Sequence, residues 1–251
     1  MNSCLPSEPK LAVAGLKKSF GDTPVLADVS LVLREKEFVS LLGLSGSGKT
    51  TVFNIIAGLV RPDAGRVLID GADWTGKTGR VSYMYQKDLL LPWKTVLDNV
   101  CLPLTLHGEP LRSARARAAE YFRAFDLAGF EHRYPFQLSG GMRQRAALMR
   151  TFFQGKDLML LDEPFGALDA LTKRKMEQWL LDMLPQLKAA VLFITHDVEE
   201  AVLLSDRIYV LTARPARVRE EIRIGLPRPR PLDLTTTPDF NAYKRRIINA
   251  L

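Results

Sequence analysis

The run Gly43-Leu44-Ser45-Gly46-Ser47-Gly48-Lys49-Thr50 meets the spacing G-x-x-x-x-G-K-[ST] at every fixed position. Each residue type answers a need of phosphate chemistry. Gly43, Gly46 and Gly48 lack a β-carbon, so the backbone can curl and aim several N–H groups at one anion. Lys49 brings a point charge that can reach β- and γ-phosphates, and the Thr50 hydroxyl can ligate Mg²⁺. With Thr51 at the start of the helix that follows, Gly43, Leu44, Ser45, Gly46, Ser47, Gly48, Lys49 and Thr50 form a candidate cradle for a triphosphate. A glycine-rich turn that binds nothing would not need such orderly flanks.

Those flanks are the elements that must position the loop. Phe38–Leu42 is apolar and reads as a buried strand, and residues 51–59 read as a helix whose positive end faces the loop. Upstream, residues 11–16 and 25–33 read as strands around a turn at Gly21-Asp22-Thr23-Pro24. Residues 66–69 followed by Asp70-Gly71 signal a hairpin, and residues 81–85 another strand ending at Gln86. After Gln86 the pattern becomes helical to about Phe153, with Leu111, Ala114, Ala118, Phe122 and Phe125 spaced for one face of a helix over 113–125. Strand and helix patterns then alternate: strands at 158–161, 190–194 and 207–211, helices at 170–184 and 198–204. Such alternation implies a largely parallel sheet covered on both faces, interrupted by a helical insertion. Residues 226–231 read as a stiff, extended linker. Thr237-Pro238 then opens a last helix carrying Phe240, Tyr243, Ile247, Ile248 and Leu251 on one face. That face suits packing on its own domain, with Lys244-Arg245-Arg246 the alternative contact for lipid head groups.

Composition bounds the partners. The chain has 251 residues, 47% of them hydrophobic, and a net charge of +7. A basic balance suits phosphate ligands or an anionic membrane surface, and nucleic acid is the weakest candidate because arginine runs interleaved with aromatics are missing. The two cysteines, Cys4 and Cys101, are far apart and read as reduced thiols in the cytoplasm. The first residues lack the pattern of a secretory signal, and no apolar run approaches the ~20 residues that span a bilayer.

Two further constellations carry chemistry. Leu158-Met159-Leu160-Leu161-Asp162-Glu163 is a strand ending in adjacent carboxylates, where chemistry gathers in open α/β sheets. Asp162 suits Mg²⁺, and Glu163 suits polarising a water for attack on a γ-phosphate. Leu138-Ser139-Gly140-Gly141-Met142-Arg143-Gln144-Arg145 opens a helix on two glycines, and its exposed N–H groups with the Ser139 hydroxyl make a second anion site.

With these motifs in view, almost the whole chain resembles the ATP-binding cassette family, the nucleotide-binding subunits of ABC transporters. Residues 43–50 match the Walker A loop, 158–163 Walker B and 138–144 the family signature. Gln86 matches the Q-loop, Gly166-Ala167-Leu168-Asp169 the D-loop and His196 the switch histidine. The signature carries Met142 where many members have Gln, and Phe20 stands where a Tyr more often stacks on adenine.

The resemblance implies an α/β fold: a P-loop NTPase core, mainly parallel sheet with an antiparallel β subdomain, plus an inserted α-helical subdomain. The ATP-binding domain would span 1–225 (core 1–86 and 156–225, helical subdomain 87–155), with linker and C-terminal helix at 226–251. It implies an ATPase using ATP and Mg²⁺. Glu163, His196 and Gln86 would be catalytic. Thr50, Gln86 and Asp162 would hold the metal. Phe20, the loop through Thr51, and Ser139, Gly140 and Gly141 would hold nucleotide. Two cassettes would pair head to tail, the loop of one facing the signature of the other across ATP. The groove near 86–93 would receive a membrane permease, placing the chain peripherally on the cytoplasmic face of the cell membrane. The stretch 86–100 and the tail 226–230 are similar to the uptake branch that imports nitrate, sulfonates such as taurine, and pyrimidine thiamine precursors, each with a periplasmic or extracellular solute-binding protein. The alternatives are a soluble cassette acting on DNA or ribosomes, which usually pairs two cassettes in one chain or adds a long coiled coil, an exporter cassette, often fused to transmembrane helices, and a small-molecule kinase.

Overall fold

A computed structural model describes residues 8–166, 168–183 and 189–251. Cys4, the leader assignment at the first residues, Ala167 of the expected D-loop and Leu184 of the expected helix lie outside the described residues.

Strands β1 (Leu11–Phe20), β2 (Thr23–Leu33), β3 (Phe38–Leu42), β4 (Ala64–Ile69), β5 (Ala72–Asp73), β6 (Ser82–Met84), β7 (Leu158–Asp162), β8 (Ala190–Thr195), β9 (Arg207–Leu211) and β10 (Ala216–Arg223) join in one curled sheet. Its order is β5-β4-β1-β2-β10-β9-β3-β8-β7-β6. From β9 to β6 every pairing is parallel, so the carboxyl ends of β9, β3, β8, β7 and β6 share one edge. At the other end β5, β4, β1 and β2 pair antiparallel. This is the mixed α/β architecture the motifs imply.

The central strands are buried from end to end. Their alternate side chains feed two cores on opposite faces. Met159, Leu161, Val191 and Phe193 face the helical lobe with Phe122, Phe125 and Phe165. Leu158, Leu160, Leu192 and Ile194 face helix α1 (Lys49–Ile56), with Phe53, Ile55 and the antiparallel strands. The lobe contributes α2 (Val96–Val100), α3 (Leu102–Leu106), α4 (Leu111–Ala119) and α5 (Gly140–Phe152). Beyond β7 come α6 (Ala170–Met183), α7 (Val198–Leu204) and α8 (Pro238–Ala250).

Some expectations change. The helix over 113–125 is α4 followed by turns; Ala114, Ala118, Phe122 and Phe125 are buried, but Leu111, the first helical residue after Pro110, is exposed. Thr23 and Pro24 belong to β2 rather than the turn. β10 is masked because Glu220 takes the inward-phase position between Val218 and Ile222, interrupting an otherwise regular alternation among five charged residues. On α8, Phe240, Ile247 and Ala250 are buried against α7, whereas Ile248 faces solvent. Lys244 and Arg246 pair with Glu199 at 2.8 Å and Glu220 at 2.6 Å, so two of the three cations assigned to lipid are engaged within the domain.

The segment 226–231 packs rather than spacing the helix away. Arg230 is buried, and its guanidinium donates to the carbonyls of Val202 (3.0 Å), Leu203 (3.3 Å) and Ser205 (2.6 Å), capping α7, and to Leu226 (2.9 Å). Arg228 adds Leu204 O at 2.6 Å and Asp206 at 2.8 Å.

A second polar knot ties the sheet ends. Buried Lys10, just before β1, donates to Asp70 at 2.8 Å and Asp157 at 2.6 Å, and Arg80 joins both carboxylates. Bonds from Arg80 and Lys10 hold the Asp157 carboxyl down at about 2, below its ordinary 3.8. A depressed carboxylate stabilises the fold above its unfolded value and stops doing so as pH falls through the folded one. Asp157→Asn should therefore lower the urea midpoint at pH 7, and the deficit should shrink between pH 4 and about 2. A deficit that does not change with pH would show that the charge of Asp157 is not what the knot uses.

Candidate active site

The loop after β3 is shaped by contact. A β-carbon at Gly43 would sit 2.9 Å from Ser47 Oγ and 3.2 Å from Leu211 Cβ, so only glycine lets the chain pass between β9 and its own return. Gly48, at φ 102°, caps α1 in the left-handed region without a side-chain bond, leaving the first N–H groups of the helix open. Lys49 then turns back beneath the loop. It is buried, and its Nζ donates to Gly43 O at 2.8 Å and Leu44 O at 3.1 Å. Burial pulls its pKa below the ordinary lysine range, opposed by Glu163 and Asp162. Ser47 Oγ is buried with no hydrogen-bond partner among the described residues. Open N–H groups, a desolvated cation and an orphaned hydroxyl are the chemistry a polyphosphate would complete, so the residues fit that group.

Three neighbouring strand ends bring the rest. Asp162 closes β7 and is buried; burial, more than the nearby Glu163 charge, pushes its carboxyl up to about 6, while Thr50 and Lys49 pull it down. Glu163 leaves the strand at φ 45°, and its N–H donates to Ile194 O at 3.0 Å. That left-handed step swings its carboxylate away from Asp162 and toward the neighbours. Gln86 Nε2, after β6, donates to Glu163 Oε2 at 3.1 Å. His196 Nδ1, after β8, lies 3.4 Å from Glu163 Oε1, with the ring largely exposed. Glu163 thus sits between the residues matched to the Q-loop and the switch histidine.

One cleft of about 360 Å³ collects Ser45, Gly46, Gly48, Lys49, Thr50 and Thr51 with Gln86, Glu163 and His196. Arg214, which sequence reasoning passed over, lines it too. No motif marks an arginine in the turn between two strands when the second strand is itself hidden.

Other expected residues are not brought into the cleft. Phe20 ends β1, exposed and with Lys18 Nζ 5.4 Å over its ring, so it is neither a core aromatic nor a cleft wall. Ser139, Gly140 and Gly141 start α5 in the helical lobe. Ser139 Oγ accepts from Met142 N at 3.3 Å, and a β-carbon on Gly141 would meet Thr172 Cγ2 at 2.5 Å. The lobe still touches the cleft indirectly: Gln144 Nε2 on α5 donates to Gln86 O at 3.2 Å, and Arg143 pairs with Asp88 at 3.1 Å.

Comparisons with known proteins agree with one another. The family described as ABC transporter matches residues 26–166. An uncharacterized ABC transporter ATP-binding protein of Methanocaldococcus jannaschii is 43% identical, over 96% of this chain and 91% of its own. The formylaminopyrimidine import ATP-binding protein ThiZ of Halalkalibacterium halodurans is 45% identical over 80% of this chain and 79% of its own. The taurine import ATP-binding protein TauB of Pseudomonas entomophila is 44% identical over 80% and 78%. Among solved structures, the dimeric bacterial ABC transporter cassette MJ0796 superposes with a TM-score of 0.77 at 32% identity, covering 85% of this chain and 98% of that one. A post-hydrolysis state of the same cassette, bound to ADP and Pi, gives 0.75.

The raised Asp162 carboxyl has a stability consequence. A group whose folded pKa exceeds its unfolded value favours the fold while protonated and costs it as pH rises through about 6. In the nucleotide-free protein, Asp162→Asn should therefore be more stable than the parent at pH 8, on the order of 2 kcal/mol, and equal to it near pH 4. Denaturant titrations at the two pH values check this, and a less stable variant at pH 8 would count against it.

Proposed function

Because this chain belongs to the ABC transporter family, we propose that it powers solute import as the ATP-hydrolysing subunit of a transporter with a separate permease. It is an ABC-type ATPase with import-type relatives. The observation that carries the catalytic reading is Glu163, held between Gln86 and His196 at the far side of a cleft floored by Lys49.

Bound ATP supplies the phosphoryl group that is transferred to water. Lys49, freed from its loop carbonyls, binds β- and γ-phosphate oxygens, and the N–H groups of residues 45–51 surround them. Thr50, Asp162 and Gln86 would hold Mg²⁺, which would offset the charge of the phosphates. Among the described residues no cluster of His, Cys, Asp and Glu could hold a metal alone, which suits a cation whose shell is completed by phosphate and water. Glu163 orients the attacking water and accepts its proton, and His196 steadies the terminal phosphate. Phe20 offers an exposed ring for the adenine.

Ser139, Gly140 and Gly141 serve the other half of the reaction. They stand in the lobe, away from their own cleft, and a second copy turned head to tail would present them to it. The γ-phosphate would then bridge two protomers, and its loss would release them. Exposed Leu89 and Trp93, next to Gln86, offer an apolar seat for a permease helix. Among the described residues no helix is long and apolar enough to cross a membrane; attachment through such a subunit would place the chain at the cytoplasmic face. The ThiZ and TauB relatives favour a formylaminopyrimidine or a small sulfonate as cargo, delivered by a solute-binding protein.

Glu163→Gln should bind MgATP and persist as a dimer on size exclusion while turnover falls at least about a hundred-fold, the lower range for a lost general base. Steady turnover near the parent rate would remove Glu163 from that role. Lys49→Ala should lose both nucleotide binding and hydrolysis.

A further inference from the structure

Arg214 is the one arginine lining the cleft among the described residues, and the catalytic reading leaves it without work. It sits at the tip of the turn joining β9 to β10. The base of that turn is closed by Thr212, whose N–H donates to Arg217 O at 3.0 Å and whose hydroxyl accepts from Arg217 N at 3.0 Å. The turn is anchored beside the phosphate loop, since Leu211 Cβ and O would lie 3.2 and 3.3 Å from a β-carbon at Gly43. β9 pairs in parallel with β3, Val210 opposite Leu42, so the turn and the loop rise from adjacent strand ends.

Among the described residues the Arg214 side chain is exposed and makes no ion pair and no hydrogen bond, and the other lysine or arginine lining the cleft, Lys49, is turned beneath the loop. Along the sheet edge, β9 flanks β3 on one side and β8 flanks it on the other. Arg214 and His196 therefore stand on opposite sides of the loop, facing one cleft.

We infer that Arg214 is a second phosphate-binding cation, closing the cleft from the β9 side onto the terminal phosphate of ATP. A guanidinium presents a planar fork that matches phosphate oxygens. Glu163 and His196 mark the end of the cleft where the terminal phosphate would lie, and Arg214 shares that cleft with them. The contact would distinguish triphosphate from diphosphate, so the turn would relax once the terminal phosphate is lost. This rests on the nucleotide-binding reading above.

The test uses the full chain carrying Glu163→Gln, so that turnover does not distort equilibrium binding, with MgATP and MgADP as probes in parallel. Adding Arg214→Ala should weaken MgATP about ten-fold, the value of one charge-assisted contact, and change MgADP less than about two-fold. Arg214→Lys should recover part of the loss by keeping the charge without the fork. Thermal melting of the nucleotide-free variants should match the parent, since the side chain holds nothing in the fold. Unchanged MgATP affinity, or equal losses for both nucleotides, would overturn the assignment while leaving the nucleotide site standing. A parent that binds neither probe would sink the nucleotide reading itself, and the role of Arg214 with it.

Discussion

A buried ammonium whose partners among the described residues are backbone carbonyls sets the terms for the rest of this protein. Lys49 is inside the fold, yet its bonds run to Gly43 and Leu44, and its pKa is depressed. Desolvating a cation without a paired carboxylate is unfavourable, and the site is tuned to an anion that arrives from outside. The surrounding structure keeps that condition in force. β3 is buried along its length, so the loop cannot retreat. The close approach of Leu211 leaves no room for a bulkier turn. Asp162 is near enough to matter electrostatically but is itself desolvated, so it does not neutralise the lysine fully.

Communication with the helical lobe rests on few, directional bonds. Gln86 gives its side-chain amide to Glu163 and its carbonyl to Gln144. One residue thus touches the carboxylate that would handle water and the helix that opens with Ser139. Arg150, also on α5, donates to Leu89 O at 2.8 Å and to Asp88 O at 2.6 Å, binding the same connection further along. Gln144 shares its face of α5 with Ala147 and Leu148, which pack into the core that Met159 and Leu161 of β7 also enter, so a shift at Gln86 reaches the lobe through both a polar bond and that core.

How much of this was legible beforehand depended on whether the signal was local. The loop, the adjacent carboxylates and the glycine-opened helix announce themselves because their chemistry requires fixed residue types at fixed spacing. The buried strands were equally plain, as continuous apolar runs. What was missed is tertiary. β10 is mostly charged, and Glu220 interrupts its apolar alternation, so hydropathy does not mark it, and Arg214 at its threshold was invisible for the same reason. The knot of Lys10, Asp70, Arg80 and Asp157 joins residues far apart in the chain. On α8 the apolar stripe is narrower than its periodicity suggests: Phe240 and Ile247 reach α7, while Ile248 belongs to the next face round. The exposure of Phe20 is set by its place at the end of β1, which the residues themselves do not disclose.

The proline-punctuated stretch after β10 looked like a spacer and behaves like a clasp. Because Arg230 fills the open carbonyls of α7, and α7 begins immediately after His196 and Asp197, the carboxy-terminal segment supports the foundation on which the histidine stands. A fragment trimmed at residue 225 would strip that clasp, bare the α7 surface that Phe240 and Ile247 cover, and leave the histidine on a frayed footing. Deletions at the far end of the chain would then register at the catalytic edge, although no atom of α8 lines the cleft.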